Sequence, residues 1–239
     1  MYSLEFNTVL MLLIGYLFGS IPVGYLYCKA HGVNIFEIGS GNPGSTNVGR
    51  ILGKKHGRIV FALDIIKTLI PILIAHIVLI RLNIARNGVG FTSAIINSFT
   101  VNFEVLHTGT LRDPIVIFIT GLGAILGHNF PFTTRFRGGK GITCTVAVVA
   151  YFNVIFAILL YLIHKVIGKV TGYVSLASIL ALIIMFLASL IFTIFKIYPF
   201  NFTHAYMVLP EIFIMMLLGI FRHKENIERL EKGTENKLK

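Results

Sequence analysis

Three short polar segments interrupt a strongly apolar chain, and the residue types within them favour the binding of a negatively charged group. The first segment, GSGNPGSTNVGR, occupies residues 39–50. Glycine lets the main chain approach a ligand closely, and a helix start together with an arginine can hold phosphate oxygens. We expect Thr46 to cap a helix that begins near Asn47, with Arg50 in its first turn. The alternative is a plain cytoplasmic turn, which would need far fewer glycine and polar residues.

The second segment, RFRGGKGITC, occupies residues 135–144 and lies between two long apolar runs. Its glycines surround Lys140 and supply flexible main-chain N–H donors, to which the lysine adds a point charge. The segment departs from the nucleotide-binding pattern G-x-x-x-x-G-K-[ST], because a threonine stands at the first glycine position and Gly141 follows the lysine. Nucleotide hydrolysis is therefore not indicated. We interpret Arg135 as an anchor at the cytoplasmic face, and Arg137 either in the same way or as an anion ligand.

The third segment, residues 221–237, carries a histidine and an asparagine at helical spacing. In FRHKENIERLEKGTENK, the side chains of His223, Asn226 and Ile227 would share one helix face. At a helix that leaves the membrane, a histidine and an asparagine can reach a substrate hydroxyl. The alternative is a solvated charged tail, which is the usual role of such a stretch. Three charged residues are expected to point elsewhere: Arg222, Glu225 and Arg229.

The composition indicates a helical protein that crosses a membrane several times. The chain has 239 residues and a mean hydropathy of +0.82, and 13% of its residues are charged, whereas soluble domains have about 25%. A helical crossing needs about 20 predominantly apolar residues. The whole chain, 1–239, is expected to form a single membrane-embedded domain. We place crossings at roughly 8–28, 58–80, 113–130, 173–195 and 203–221.

The net charge of +11 and the two cysteines favour neither a nucleic-acid partner nor a disulfide framework. In a membrane protein, an excess of Lys and Arg reflects cytoplasmic loops and anionic lipid or substrate. Cys28 and Cys144 lie near the ends of apolar runs, so we expect buried thiols rather than a disulfide or a metal site.

Asp64 and Lys67 lie inside an apolar crossing, where ionisable groups are paired by default. We expect them to pair with one another or with the Arg50 region.

The distribution of positive charge suggests how the chain crosses the membrane. Lys and Arg cluster in four places: 29–58, 135–140, 165–169 and the tail from residue 222. Such clusters face the cytoplasm. If all four do, the apolar run 141–164 must start and finish on that side, and it is too short for two full crossings. We therefore predict two short helices in a broken hairpin that turns near Tyr151–Asn153. This gives seven helices, with the N-terminus outside and the C-terminus inside. The alternative is one full crossing there, six in all, with the tail outside.

Further patterns concern helix packing and the loops. Residues 81–112 are more polar and are interpreted as an external loop with an amphipathic helix over Phe91–Phe103. The tail is expected to be helical up to Gly233. GxxxG spacing, which is typical of close helix packing, occurs twice, at Gly15/Gly19 and at Gly123/Gly127.

Taken together, the three segments resemble the bacterial acyl-phosphate:glycerol-3-phosphate acyltransferase family of small integral membrane enzymes. The resemblance rests on GSGNPGSTNVGR, on GHNFP followed by FRGGKG, and on RHKENIERL followed by GTE, which together cover nearly the whole chain. It implies seven membrane helices in the bacterial inner (cytoplasmic) membrane, with the active site on the cytoplasmic side. It also implies transfer of a fatty acyl group from acyl phosphate to the sn-1 hydroxyl of glycerol 3-phosphate. The products are lysophosphatidic acid and phosphate, in the first acylation step of phospholipid synthesis.

The resemblance and the residue types together indicate which residues carry out this reaction. Those expected to be catalytic are Ser40, Arg50, Lys140, His223 and Asn226. Those expected to bind substrate are Asn42, Thr46, Asn47, Gly138, Gly139, Gly141 and Ser175. Glu235 matches an acidic residue with a structural role. The sequence departs from the family after the lysine, where GITC places Cys144 at a threonine position, so no hydroxyl role is expected there.

The implied reaction determines the expected partners, which are acyl phosphate, glycerol 3-phosphate and membrane lipid. Acyl phosphate is already an activated mixed anhydride, so we expect no cofactor and no metal, and we expect a monomer. The departing phosphate is expected to accept the hydroxyl proton, with His223 as the second choice of base. One rival function is a transporter or channel for a phosphorylated solute, since broken helices bind anions there too. A lipid-binding scaffold is a weaker rival, because it would not need so many glycines.

Overall fold

The structure of the chain, a computed structural model, describes residues 4–87, 113–197 and 205–238. The amphipathic helix predicted over Phe91–Phe103 lies outside these residues. Every regular element within the described ranges is helical, as the composition predicts. The α-helices are α1 (Leu4–Gly19), α2 (Val23–Ala30), α3 (Ser45–Ile51), α4 (Lys54–Asn87), α5 (Asp113–Asn129), α6 (Ile142–Phe152), α7 (Val154–Thr171), α8 (Val174–Phe195), α9 (Ala205–Arg222) and α10 (Lys224–Glu231). A short 3₁₀ turn, Phe132–Thr134, follows α5.

Five stretches in the described part of the chain are long and apolar enough to cross a bilayer. They are Thr8–Ala30, Lys54–Leu79, Ile115–Thr134, Val154–Thr171 and Val174–Phe195. Their outer faces carry large exposed apolar side chains, such as Leu17 and Ile77, at 55% and 58% exposure. Exposed side chains of this kind need an apolar surrounding, so the helices form the body of a membrane protein.

The apolar run 141–164 is broken, as the charge pattern predicts, but only one of its two helices is short. The break falls at Asn153, whose extended main chain (φ −153°, ψ 96°) separates α6 from α7. The Asn153 side chain caps α7 by accepting a hydrogen bond from the N–H of Phe156 at 2.8 Å. The prediction of a second short helix was wrong: α7 has 18 residues, about 27 Å at 1.5 Å per residue. It ends only at Gly172, whose φ of 80° is left-handed.

The first part of the stretch predicted to be an external loop, residues 81–87, is helical. Helix α4 continues to Asn87, so the polar stretch RLNIARN is helical. Leu, Ile, Ala and Arg are good or tolerable helix formers, and the helix ends directly before Gly88. Polarity alone does not end a helix, and the prediction of a loop over 81–87 was therefore wrong.

Helices α1 and α5 pack through the two glycine pairs that the sequence singled out. A Cβ atom on any of the four glycines would overlap a main-chain carbonyl oxygen of the facing helix. The four residues are Gly15 and Gly19 on α1 and Gly123 and Gly127 on α5. Main chain therefore packs directly on main chain here, which confirms the prediction of close helix packing.

Buried ionisable groups on α4 pair with one another, as predicted. The ammonium of Lys67 lies 2.9 Å from the Asp64 carboxylate and donates to the carbonyl oxygen of Ile21 at 2.8 Å. Its nitrogen also lies 3.0 Å from Nδ1 of His128, at the end of α5. Ile21 precedes Pro22 at the break between α1 and α2. A carbonyl oxygen at such a break has no hydrogen bond within a helix, and the Lys67 ammonium supplies one.

The two cysteines are buried and free. Cys28 on α2 and Cys144 on α6 have no exposed surface, and they form no disulfide. This confirms the interpretation of both residues as small buried thiols.

Candidate active site

One cavity of about 780 Å³ brings the three polar segments together. All five residues expected to be catalytic line it: Ser40, Arg50, Lys140, His223 and Asn226. Five of those expected to bind substrate line it as well: Asn42, Thr46, Asn47, Gly141 and Ser175. Gly138 and Gly139 do not line the cavity but are buried immediately behind Lys140. Residues as far apart in the sequence as Ser40 and Leu238 thus line the same cavity.

The first segment contributes a tight loop and a short helix, with two differences from the prediction. Helix α3 begins at Ser45, and its N-cap is Gly44, which makes no side-chain capping bond. The prediction of Thr46 as the cap was wrong, because Thr46 already lies inside the helix. Arg50 lies in the last turn of α3 rather than the first, because the helix starts earlier than predicted and ends after seven residues.

Asn47 holds the loop before α3 in place through main-chain contacts. Its Oδ1 accepts from the N–H of Ser40 at 3.1 Å, and its Nδ2 donates to the carbonyl oxygen of Ile38 at 3.1 Å. Gly39 lies at φ 66°, and a Cβ there would overlap the Asn47 side chain. Only glycine allows this left-handed close approach without strain. The side chain of Asn42 is used similarly, accepting from the N–H of Gly44 at 2.9 Å.

The second segment forms a glycine loop, residues 138–141, that leads into α6. Gly141 at φ 78° is the N-cap of this helix. The N–H of Gly139 donates to the carbonyl oxygen of His128 at 2.9 Å. A Cβ on Gly138 would overlap that same oxygen, and a Cβ on Gly139 would overlap the His128 ring. The glycines therefore allow the loop to press against the end of α5.

The third segment contacts the glycine loop through Arg222. Arg222, the last residue of α9, donates from Nε to the carbonyl oxygen of Gly139 at 3.0 Å and from Nη2 to that of Gly138 at 2.9 Å. Its guanidinium carbon lies 4.9 Å from the centre of the Phe130 ring. As predicted, Arg222 does not line the cavity with His223 and Asn226, but its contact with this loop was not predicted from the sequence.

A hydrogen-bonded chain links the lysine of the loop to the tail. Lys140 donates to Oδ1 of Asn226, and Nδ2 of Asn226 donates to Glu235 at 2.8 Å. Glu235 also accepts from the hydroxyl of Ser175 at 3.1 Å and from Nε of Arg229 at 2.8 Å. The carboxylate of Glu235 thus orients the asparagine so that its oxygen faces the lysine. The pKa of Glu235 is lowered because these hydrogen bonds outweigh the cost of its burial.

His223 is placed between two helices with its tautomer set by the main chain. The ring lies at the N-cap of α10, is 2% exposed, and its Nδ1 lies 2.7 Å from the carbonyl oxygen of Gly219. A carbonyl can only accept, so Nδ1 carries the proton and Nε2 is the acceptor. Burial, with the nearby Lys140 charge adding to it, lowers the pKa of His223 to about 4. The imidazole is therefore neutral at physiological pH.

The cations of the site are not balanced by carboxylates. Burial lowers the pKa of Lys140 to about 8, although Glu235 acts to raise it. The same desolvation lowers the pKa of Arg50, yet a guanidinium remains charged. Among the described residues, no carboxylate lies within 4.0 Å of the charged nitrogens of Arg50 or Lys140, because Glu235 pairs with Arg229 instead. The charge arrangement suits an anionic ligand.

The other part of the cavity wall is apolar. Along α8, the cavity-lining side chains change from Ser175 and Ser178 to Ala181, Leu182 and Met185, which share one helix face. This face extends over ten residues, about 15 Å. Facing it are apolar side chains of α6 and α7, among them Val149 and Leu160. A ligand with an anionic head and an apolar chain matches this distribution.

Several residues of the site were missed from the sequence alone. Additional cations and a histidine line the cavity: Lys54, Arg58, His164 and Lys165. His164 lies 3.2 Å from the hydroxyl of Ser178. The available signal was position: Lys54 and Arg58 lie near the start of α4, and His164 and Lys165 lie in the last eight residues of α7. Both places are close to clusters of positive charge. Nothing in the sequence indicated that Arg229 pairs with Glu235, because Glu235 lies beyond the end of α10 and helical spacing does not apply to it.

The architecture and the comparisons with known proteins agree on a class: the chain is a helical integral membrane protein of the acyltransferase type. The family profile described as glycerol-3-phosphate acyltransferase matches residues 9–233. The chain therefore belongs to the glycerol-3-phosphate acyltransferase family, as the three polar segments predict.

Relatives of this family match over nearly the full length of the chain. The glycerol-3-phosphate acyltransferase of Aquifex aeolicus is 36% identical over 231 residues, covering 97% of this chain and 99% of the relative. That of a Thermoanaerobacter species is 34% identical, covering 96% and 95%. Solved structures agree: PlsY (YgiH), an integral membrane glycerol 3-phosphate acyltransferase, in its glycerol 3-phosphate form, superposes with a TM-score of 0.71 at 34% identity. The superposition covers 97% of this chain and 96% of PlsY. A lysophosphatidic acid form of PlsY gives a TM-score of 0.69 at 35% identity.

Proposed function

We propose that the chain transfers a fatty acyl group from acyl phosphate to the sn-1 hydroxyl of glycerol 3-phosphate, giving lysophosphatidic acid and phosphate. This would be the first acylation step of phospholipid synthesis. The observation that carries the proposal is a single cavity in which unbalanced cations adjoin an apolar wall. Family membership supports glycerol 3-phosphate as the acceptor, and the apolar wall supports an acyl donor with a long chain.

The cations account for the binding of two phosphate groups side by side. Arg50 provides a planar fork that suits phosphate oxygens, and Lys140 provides a compact charge. Lys54, Arg58 and Lys165 add positive charge around the same cavity. In our proposal, Ser40, Thr46 and Ser175 donate hydroxyl hydrogen bonds to phosphate, while Gly141 and the glycines behind Lys140 keep the main chain close to it. Asn42 and Asn47 contribute by fixing the loop that carries Ser40.

At the acyl carbon, the reaction forms one carbon–oxygen bond and breaks another. The glycerol 3-phosphate hydroxyl oxygen attacks the acyl carbonyl carbon, the bond from that carbon to the phosphate oxygen breaks, and inorganic phosphate leaves. The hydroxyl proton passes to the departing phosphate. Because the pKa of His223 is about 4, its Nε2 is a weak base, and it serves mainly to orient the hydroxyl by accepting its hydrogen bond. Orientation of this kind can supply about 7–11 kcal/mol of the barrier reduction.

Asn226 and Lys140 act as a unit in this mechanism. The carboxamide oxygen of Asn226 holds the ammonium of Lys140, and Glu235 holds the amide nitrogen. The ammonium is thus kept at a fixed position before substrate enters, so that it need not reorganise as negative charge builds up on the leaving phosphate.

We further propose that the protein is a monomer that forms one domain in the bacterial cytoplasmic membrane. Seven of its helices would lie within the membrane. The N-terminus is outside, and the C-terminus and the active site face the cytoplasm. Two observations support this topology. Gly141, the N-cap of α6, and Gly168, in the last turn of α7, line the same cavity, as expected if both ends of the hairpin lie on one side. The basic residues Lys54, Lys165 and Lys237 line it too, which agrees with the positive-inside rule.

The proposed reaction is tested with the purified full-length chain, palmitoyl phosphate and glycerol 3-phosphate. Phosphate release and lysophosphatidic acid formation should rise together in equal amounts. Palmitoyl coenzyme A in place of palmitoyl phosphate should give no product, and positional analysis should find the acyl group at sn-1. Product formed from the thioester but not from the acyl phosphate would overturn the proposed donor. Uptake of glycerol 3-phosphate into proteoliposomes without acylation would favour a transporter instead.

The role of His223 is tested by His223→Ala in the same assay. We expect kcat to fall, because the hydroxyl loses the acceptor that orients it. If the variant kept its maximal rate and lost only affinity, both the base role and the orienting role would be abandoned.

A further inference from the structure

Arg222 makes contacts that the reaction described above does not use. It is half-buried at the end of α9, and two of its guanidinium nitrogens donate to consecutive main-chain carbonyls, those of Gly138 and Gly139. Its guanidinium plane also lies over the ring of Phe130. These contacts fix the side chain at both the loop and the end of α5. The residue directly after Arg222 is His223, so one short stretch of chain touches both the glycine loop and the cavity.

The direction of the two carbonyls determines the direction of the following N–H groups. In a planar trans peptide, the C=O of one residue and the N–H of the next point in opposite directions. The carbonyl of Gly138 faces Arg222, so the N–H of Gly139 faces away from it and donates to the carbonyl of His128 at 2.9 Å. The carbonyl of Gly139 also faces Arg222, so the N–H of Lys140 must likewise point away from Arg222.

The N–H of Lys140 remains available to a ligand. No group in the described ranges accepts a hydrogen bond from it, although Lys140 itself lines the cavity. Lys140 thus has two donors, its N–H and its ammonium, that an anion beside it in the cavity would meet. Anion-binding loops of this kind depend on consecutive main-chain N–H groups whose direction is fixed, and glycine by itself fixes no direction because it is so permissive.

We propose that Arg222 is a positioning residue for the acyl transfer: by holding the carbonyls of Gly138 and Gly139, it directs the Lys140 N–H and ammonium toward the phosphate of the substrate. This inference rests on the proposed function. It assigns to Arg222 a role exerted through the loop, without contact to the substrate. A lysine cannot replace it, because a single ammonium lacks the rigid fork that reaches two carbonyls at once.

The proposal is tested with Arg222→Ala and Arg222→Lys in the full-length chain, with Arg137→Ala as the matched control. Arg137 is exposed, lies outside the cavity lining and places its guanidinium carbon 4.4 Å from the centre of the Phe36 ring. Its removal therefore takes the same charge from the chain without touching the glycine carbonyls or the cavity. We expect both Arg222 variants to lose about 100-fold in kcat, since a displacement of 1 Å can cost that much. KM for glycerol 3-phosphate should rise less than kcat falls. The control should stay near the wild-type rate.

Chemical rescue separates positioning from a merely structural role. Guanidinium at concentrations below those that unfold the protein should restore a measurable part of kcat to Arg222→Ala, and should not raise the rates of the wild type or of Arg137→Ala. All rates are expressed per folded protein, measured by thermal unfolding in detergent. A kcat within about twofold of wild type, a loss explained entirely by a smaller folded fraction, or a loss that guanidinium does not restore would each overturn the proposal.

A second measurement distinguishes a failure of the positioning role of Arg222 from a failure of the proposed reaction. Inorganic phosphate, which is the leaving group that Lys140 is proposed to hold, should raise the unfolding temperature of the wild type and of Arg137→Ala, and should raise that of Arg222→Ala much less. This comparison needs no acyl donor. If the wild type shows this stabilisation but no turnover with palmitoyl phosphate, the reaction is wrong and the positioning of the phosphate-binding loop stands. Equal stabilisation of the wild type and Arg222→Ala overturns the positioning role.

Discussion

Two groups of charged side chains lie within the apolar body of this protein, and they differ in how their charge is balanced. In the first, Lys67 is paired with Asp64 at 2.9 Å and donates to a main-chain carbonyl as well. Both residues are at most 5% exposed. In the second, Arg50 and Lys140 line an open cavity, and no described carboxylate is close enough to pair with either. The two carboxylates that line this cavity are held elsewhere, Glu235 by Arg229 and Asp64 by Lys67.

The difference indicates which group is structural and which binds a ligand. A buried charge is tolerated only when paired and hydrogen-bonded, so a cluster that contains its own counter-charge needs no further partner. A cluster of cations without counter-charge is stable in an apolar surrounding only beside water or an anion. The balance of charge, rather than the presence of charged residues in apolar segments, therefore distinguishes the proposed phosphate-binding site.

The largest expected effect comes from breaking the balanced pair. Asp64→Asn leaves the ammonium of Lys67 buried without a carboxylate, and removal of one partner of a buried ion pair costs about 3–5 kcal/mol. We expect the free energy of unfolding in detergent to fall by that amount. In Asp64→Asn/Lys67→Met neither charge remains, so the double variant should recover most of the loss.

Glu231→Gln is the control for this experiment, because it removes an exposed carboxylate at the end of α10. Its stability should stay within about 0.5 kcal/mol of the wild type. The comparison between the two clusters would be broken if Asp64→Asn were as stable as the control, or if the double variant were no more stable than the single one.

The next largest effect concerns catalysis and comes from the unbalanced cluster. Lys140→Met removes a preorganised positive group from the proposed phosphate site, and the loss of one such group costs about 10²–10³-fold in rate. Stability should stay the same or increase, because a buried cation without a carboxylate is removed. Phosphate release from palmitoyl phosphate and unfolding in detergent measure the two quantities on one preparation.

Lys55→Met serves as the control for Lys140→Met, since it makes the same change of charge at an exposed position outside the cavity. It should affect neither rate nor stability. If Lys140→Met lost stability in the way Asp64→Asn does, Lys140 would belong with the structural cluster, and the contrast between the clusters would fail.

The smallest effect is a pH dependence with opposite signs for activity and stability. Lys140 must be charged to hold phosphate, and its pKa in the folded protein is about 8 against an ordinary 10.5. The value of kcat/KM, which reports the free enzyme, should therefore fall about tenfold per pH unit above pH 8. Between pH 8 and 10.5 the unfolded chain binds more protons at this residue, so its contribution to stability increases as pH rises.

Lys140→Arg isolates this effect, because a guanidinium stays charged throughout the range. In this variant the decrease in kcat/KM above pH 8 should disappear, even if the overall rate is lower. A decrease that persists unchanged in Lys140→Arg would assign the titration to another group and remove this support for the role of Lys140.

Much of the fold could be predicted from the sequence because membrane crossings leave a strong and local signal. Apolar length places four of the five described stretches that are long and apolar enough to cross a bilayer; it did not single out Val154–Thr171 as a full crossing. The GxxxG pairs predict the contact between α1 and α5, and the i,i+3 spacing of Asp64 and Lys67 predicts their ion pair. The broken hairpin near Asn153 follows from charge and length together. Each of these depends on residues close in sequence or on the bilayer itself.

The predictions that failed concern the ends of helices and long-range contacts. The cap at Thr46 and the first-turn position of Arg50 were wrong by only one or a few residues, because Gly44 begins the helix where a polar cap was expected. The contact of Arg222 with the glycine loop was missed for another reason. Helical spacing along its own segment gives no information about a loop more than 80 residues earlier in the chain.

The sequence by itself determined the family, the helical membrane architecture and the three polar segments, because each is encoded by residue type within a short stretch. Only the tertiary structure decided which charges balance one another. Glu235 could in principle pair with Arg50, Lys140 or Arg229, and the fold brings it to Arg229, to Asn226 and to Ser175. Charge balance depends on distances of a few ångströms between residues far apart in the chain, and those distances are set only when the helices pack.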